Sequence, residues 1–261
     1  MSEHDPTAYG AAIGPDFDAL YPDSHESLQT DATVAFLASL AGGGGRSGAV
    51  LEFGVGTGRV ALGLLERGVD VSGIEESTAM LARLIEKPRG REVEVVVGDF
   101  VSARINRTFD VVVVTMNAIF APGSRADQAA CFRNAARHLE PGGFFVVEAY
   151  VLQPDQLGGA WSIWPRSVTA DHVELQLARY DLPTSRVQRM LVHLRSSGVR
   201  LVEVNDTYAW PSELDLMAEA AGFELHGRTG DWRGEPFAGS SVRHVSVYRL
   251  KDVGSRYPGS G

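Results

Sequence analysis

The stretch Glu52-Phe53-Gly54-Val55-Gly56-Thr57-Gly58 sets a carboxylate directly ahead of three alternating glycines. Glycines permit a tight turn and let backbone N–H groups approach a ligand with no Cβ in the way. Apolar residues precede the turn and an amphipathic run follows it, so it sits where a strand gives way to a helix. About 20 residues further on, Glu75 closes the next apolar run, where a carboxylate can accept both hydroxyls of a ribose. Together these residues specify an adenosine-containing ligand. The dinucleotide fingerprint G-x-G-x-x-G would need glycine where Arg59 stands, which weakens a nicotinamide cofactor. The absence of G-x-x-x-x-G-K-[ST] excludes a nucleotide triphosphatase.

A second set of residues could line a pocket for a ring or a hydrophobic acceptor. Tyr9, Phe17 and Tyr21 cluster near the amino terminus, and Phe120, Tyr150, Trp161, Trp164, Tyr208 and Trp232 are spread through the remainder. Each also fits a core position or a subunit interface. Among the histidines, His172 in ADHVELQ is best placed for base work, although an exposed strand position accounts for it better. No base is assigned. Cys131, the single cysteine, lies among Ala129, Ala130 and Phe132 and reads as a buried helical thiol.

These residues need a scaffold, and the hydrophobic pattern supplies one. Tyr9, Phe17 and Tyr21 belong to a short amino-terminal helix that could act as a lid, and residues 26 to 40 form a further helix ended by the glycines at 42 to 45. Strands are predicted at 50–53, 69–74, 93–97, 109–115 and 144–150, with helices at 59–67, 78–86 and 125–139 between them. Continuous Val, Ile and Phe runs alternating with helices indicate a parallel, doubly wound sheet of Rossmann-like α/β type. After Tyr150 the pattern changes to antiparallel strands at 161–168, 173–180, 187–194 and 199–208, a β-rich insertion after the fifth strand. Pro211 opens a last helix that stops at Gly222, and strands at 223–228 and 242–250 complete the main sheet. The chain thus divides into a helical lid and linker (1–45), a cofactor-binding core (46–150), an insertion forming a substrate cap or interface (151–209), a completion of the core (210–251) and a disordered tail (252–261).

With 261 residues, 44% hydrophobic and 22% charged, the chain suits one large domain. A formal net charge of -9 lacks the basic footprint of a nucleic-acid binder, which favours a small-molecule acceptor. No segment approaches the length of a membrane span, and the acidic, polar start MSEHDPTAYG does not resemble a secretory signal, so a cytoplasmic protein is expected. The insertion offers a surface through which copies could form a homo-oligomer.

The strings LEFGVGTGRVALGLLERGVDVSGIEESTAML, VVVGDF, FDVVVVTMNAIF and LEPGGFFVVEAY resemble successive motifs of class I S-adenosylmethionine-dependent methyltransferases. The resemblance covers roughly residues 49 to 151 and implies the seven-stranded fold of that class, with S-adenosylmethionine as cofactor and S-adenosylhomocysteine as product. It implies that Glu52, Gly54, Gly56, Thr57 and Gly58 hold the methionine portion, that Glu75, with Glu76 beside it, binds the ribose, and that Met80 packs on the adenine. Gly98, Asp99 and Phe100 would border the adenine amino group, and Met116 and Asn117 would flank the cofactor. The segment Phe17-Asp18-Ala19-Leu20-Tyr21 is similar to the Y-D-x-x-Y helix of small-molecule N-methyltransferases of macrolide amino-sugar and lincosamide type. By that resemblance Tyr21 closes over the cofactor, and Tyr21 and Tyr9 are the catalytic candidates. Phe17 departs from the first tyrosine of the motif.

Metal-dependent relatives place acidic ligands just after VVEAY. This chain has Val151, Leu152 and Gln153 there, so no metal is expected. N-methylation of a natural-product amine leads, ahead of O-methylation of a sugar or phenol and of a cofactor-binding protein that does not methylate. Methyl transfer from a sulfonium is an in-line displacement, for which orientation alone can supply roughly 7 to 11 kcal/mol.

Overall fold

A computed structural model describes residues 7–21, 29–43, 48–153 and 160–251. The tail at 252–261 and much of the glycine linker, both named above, lie outside the described residues. The first described elements are helix α1 (Thr7–Ile13), a 3-10 turn (Gly14–Asp16) and α2 (Phe17–Leu20), where one short helix was predicted. Helix α3 (Thr30–Gly42) follows. The core then alternates β1 (Ala49–Phe53), α4 (Arg59–Glu66), β2 (Asp70–Glu75), α5 (Thr78–Glu86), β3 (Glu94–Val97), β4 (Phe109–Val114), α6 (Arg125–His138) and β5 (Leu139–Tyr150). The insertion comprises β6 (Ser162–Val168), β7 (His172–Asp181), β8 (Arg186–Arg195) and β9 (Gly198–Thr207), and the chain ends with α7 (Pro211–Ala220), β10 (Phe223–Thr229) and β11 (Arg243–Leu250).

Seven strands form one sheet in the order β10-β11-β5-β4-β1-β2-β3. Pairings among β1 to β5 are parallel, whereas β11 runs antiparallel to both β5 and β10. Every residue of β1 and β4 is buried, as central strands covered by helices on both faces must be. The strand order reverses on either side of β1, between β2 and β4. Open α/β sheets bind ligands at such a switch point, outside the carboxyl ends of the strands, and the glycine turn leaves β1 there.

Strand β5 starts at Leu139, earlier than predicted. The Pro-Gly-Gly sequence at 141–143 reads as a turn, but Leu139 pairs with Phe109 across a register shift, and Gly142 takes φ +72°. The bulge absorbs the glycines without ending the strand.

The insertion is a separate four-stranded antiparallel sheet, β6-β7-β8-β9. Strand alternation puts Glu174, Gln176, Ala178 and Tyr180 of β7 on the same face as Val187, Arg189, Leu191 and His193 of β8, through the register Glu174↔His193 and Tyr180↔Val187. Ala178, Tyr180 and Val187 join the main core, which fixes this face as the inner one. The sheet thereby becomes a roof over the carboxyl ends of the core strands. Between roof and core lie the amino-terminal helices: α1 packs against both α5 and β9. No helix among the described residues is long and apolar enough to cross a membrane.

Candidate cofactor and acceptor site

The glycine turn is built by backbone. Gly54, Gly56 and Gly58 take φ of +72°, +55° and +82°, values that L side chains rarely adopt. The three glycines do different jobs. Around Gly54 and Gly56 a Cβ would meet nothing nearer than 3.8 Å, which leaves open space beside the backbone, whereas at Gly58 it would lie 2.2 Å from Leu84 Cδ1. Gly58 thus lets α4 and α5 pack closely, and unlike Gly54, Gly56 and Thr57 it does not line the cavity beside the turn.

Two carboxylates stand behind the turn. Glu75 accepts from Gly56 N at 2.9 Å and from Ser77 N at 2.8 Å, so it braces the turn as well as facing the cavity. Burial raises its pKa, against the pull of those N–H donors. Glu52 is only 2% exposed, and its Oε2 has no hydrogen-bond partner. Burial pushes Glu52 up to about 8; an Ala61 backbone N–H opposes the shift and the nearby Glu75 charge adds to it. A buried carboxylate oxygen left unpaired beside a ligand cavity suits a cation.

A cavity of about 1040 Å³ extends from this floor to the roof. Glu76, Met80, Asp99, Phe100, Met116 and Asn117 line its floor; Gly98 does not, its N–H being taken by Glu75 O at 3.0 Å. Phe100 stacks on Phe53, ring centroids 5.7 Å apart, and Asp99 Oδ1 accepts from Val101 N at 2.8 Å. Met116 and Asn117 both adopt left-handed backbone, φ +51° and +66°. Side-chain bonds hold this strained turn: Glu148 Oε2 accepts from Met116 N at 2.9 Å, and Asn117 Oδ1 from Tyr150 N at 2.7 Å.

The amino-terminal helices connect floor and roof. Asp18 accepts from Thr57 Oγ1 at 2.7 Å and pairs with Lys87 Nζ at 2.8 Å, while Arg59 donates to Tyr21 O and lies over the Phe17 ring. On the roof side, Arg200 pairs with Asp16, and Tyr21 Oη donates to Glu174 Oε1 at 3.4 Å. Tyr9, Phe17 and Tyr21 all line the cavity. Burial pushes the Tyr9 phenol up to about 12 and the Tyr21 phenol higher still, so both are neutral at physiological pH.

The predicted acceptor wall needs correction. Tyr150 lines the cavity, but Phe120, Trp161, Trp164 and His172 do not. Phe120 is fully buried between Tyr150 and Tyr208. Trp161 is 52% exposed and stacks with Arg179, and Trp164 packs on the main core from the edge strand. His172 stacks on His193, their facing ring nitrogens 3.2 Å apart. Tyr208 and Trp232 are core residues.

Charged side chains of the roof, Arg166, Arg189 and Asp206, line the cavity instead, with Glu174 buried outside it. Arg189 Nη2 pairs with Asp206 Oδ2 at 2.7 Å, and the same oxygen accepts from Tyr150 Oη at 3.0 Å. Arg166 Nε lies 3.3 Å from Glu174 Oε1. Sequence reading missed all four charged residues, because nothing local marks which phase of each strand faces inward. In β8 the inward phase runs Val187, Arg189, Leu191, and in β9 it runs Val202, Val204, Asp206, so a charge interrupts each apolar face.

A profile described as a methyltransferase domain matches residues 50–143. The cypemycin N-terminal methyltransferase of a Streptomyces species is 31% identical over 202 residues, covering 76% of this chain and 81% of that protein. The CcbJ methyltransferase from Streptomyces caelestis superposes with a TM-score of 0.84 at 34% identity, covering 95% of this chain and 99% of that one. The chain belongs to the class I S-adenosylmethionine-dependent methyltransferases. An amino pentose methyltransferase from Micromonospora echinaspora, CalS10, solved with S-adenosylmethionine bound, shares the fold at 22% identity, with a TM-score of 0.63 over 90% of this methyltransferase and 96% of its own chain. The insertion after β5 is part of the fold that this methyltransferase shares with CcbJ, as the coverage of both chains requires.

Proposed function

We propose that this methyltransferase transfers the methyl group to a nitrogen of a small natural-product acceptor, of the kind made in antibiotic biosynthesis. The observation that carries the reading is one continuous cavity, large enough for a nucleoside and a small second molecule, with a glycine turn at one end and a tyrosine-lined, charged wall at the other. Likeness to the cypemycin N-terminal methyltransferase favours nitrogen.

In this reading the unpaired Glu52 oxygen receives the cofactor's ammonium, and the open space beside Gly54 and Gly56, whose own N–H groups are taken by Ile74 O and Glu75, admits the methionine end. Glu75 retains lone pairs for the ribose after bracing the turn. Met80 and Phe100 flank the adenine, and the second oxygen of Asp99 takes its amino group. The cofactor supplies an electrophilic methyl on a positively charged sulfur. The chain's own task is alignment: α1 and α2, clamped to floor and roof, exclude water and seat Tyr9 and Tyr21 over the acceptor. An acceptor amine must be unprotonated to attack, which at a lysine-like pKa costs about 4 kcal/mol at pH 7.

Incubation with methyl-labelled S-adenosylmethionine and a panel of amino sugars, amino acid amides, and matched sugars and phenols tests this. Label on nitrogen with release of S-adenosylhomocysteine is the expected result. Label confined to hydroxyls would replace the reading with O-methylation, and cofactor binding without turnover on any acceptor would sink it.

A further inference from the structure

Two tyrosines of the cavity are wired alike. Tyr150 Oη donates to Asp206 Oδ2 at 3.0 Å, and that carboxylate pairs with Arg189 at 2.7 Å. Tyr21 Oη donates to Glu174 Oε1 at 3.4 Å, and that carboxylate pairs with Arg166 at 3.3 Å. Both carboxylates are buried, Glu174 to 1% and Asp206 to 3% exposure. Each stands at salt-bridge distance from an arginine, and a carboxylate paired with a guanidinium accepts hydrogen bonds from its other neighbours. The direction of both tyrosine bonds is therefore fixed. Each phenol spends its single hydrogen on the wall and offers only oxygen lone pairs to other partners.

Resting on the nitrogen reading above, we propose that Glu174 and Asp206 are specificity-determining positioning residues, which turn Tyr21 and Tyr150 into acceptor-only posts and so select an amine over a hydroxyl. At neutral pH a primary or secondary amine arrives as an ammonium with at least two N–H donors, enough to engage both posts. A hydroxyl brings one donor and engages one. Phenols without those carboxylates would rotate their hydrogens toward an oxygen nucleophile as readily as away from it, and the discrimination would disappear. The two arginines keep the roof from binding the ammonium as a bare ion pair, so the choice falls on donor number and direction.

Cyclohexylamine and cyclohexanol, matched in shape, serve as probes. Their dissociation constants are measured by NMR shift titration on the full-length protein saturated with S-adenosylhomocysteine. The wild-type protein is expected to bind the amine at least about tenfold more tightly than the alcohol, the effect of a hydrogen bond to a charged group. Glu174→Gln should cut that ratio severalfold, and Tyr21→Phe, which keeps the ring and its packing, should cut it equally. The ratio within one variant is insensitive to a general loss of affinity, so a merely structural role for Glu174 would leave it unmoved. Equal binding of the probes by wild type, no binding of the amine, or an unchanged ratio in Tyr21→Phe would overturn the proposal. Methyl transfer to amines with an unchanged ratio would reject these posts while leaving N-methylation standing; transfer to hydroxyls alone would reject N-methylation itself.

Discussion

The floor and the roof of the cavity are made by different means. At the floor, a few consecutive residues turn the backbone itself toward the ligand, and side chains serve mainly to brace it: Glu75 accepts from Gly56 N and Ser77 N. At the roof, the backbone is an ordinary antiparallel ladder, and the chemistry rests on side chains from separate strands, such as Arg189 of β8 and Asp206 of β9. A backbone site tolerates little local change but depends on few distant residues. A side-chain site depends on charges that must be present together.

The largest effect is expected where that dependence is broken. Asp206→Ala leaves Arg189, whose side chain is 15% exposed, without its carboxylate. Removing one partner of a buried pair costs about 3 to 5 kcal/mol, whereas replacing both by apolar residues of similar volume is often neutral. Urea unfolding should show that loss for Asp206→Ala and recovery of most of it in Arg189→Met with Asp206→Leu. If the double variant is as unstable as the single one, the roof is not held by paired charges. At the floor, Glu75→Ala should leave the fold intact but weaken S-adenosylhomocysteine binding by about 1.5 to 3 kcal/mol, the worth of hydrogen bonds to a charged group. Calorimetry showing undiminished affinity would place the ribose elsewhere.

The same contrast decides what could be read from the sequence. Glycine spacing, the carboxylate ahead of it and the acid closing β2 lie within a short window, so the floor was legible from Glu52 to Asp99. Gly58 was legible as a requirement but not in its purpose, because its neighbour Leu84 comes from another helix. The strands of the insertion were legible from alternation, with boundaries within a residue or two at most ends. Their inward face was not, since nothing local tells which phase of a strand meets the core. Aromatic residues were therefore assigned to the wall, yet Trp161 lies on the exposed edge and Phe120 in the core. Arg189 and Asp206 were passed over because a charge on a strand is ordinarily a solvated one.

The smallest predicted effect, about 1.4 kcal/mol for each pH unit, concerns the protonation of the floor. Glu52 titrates near 8 in the unliganded protein because burial disfavours its charge, with Glu75 adding to the shift and the Ala61 N–H opposing it. A ligand ammonium at the unpaired oxygen would favour the ionised form, so below pH 8 binding must expel a proton. S-adenosylhomocysteine affinity should then rise by about tenfold per pH unit from 6 toward 8 and level off above it. In Glu52→Gln the slope should vanish. For the unliganded protein the sign is opposite. A carboxyl whose pKa is raised by folding stabilises the fold fully below its unfolded value, and that contribution is lost as pH rises through about 8. Thermal unfolding without ligand should thus weaken from pH 5 to 8 more steeply in the wild type than in Glu52→Gln, while ligand affinity moves the other way. Parallel profiles for the two proteins in both measurements would mean that the turn binds its ligand without Glu52, and the floor would then be a site of backbone alone.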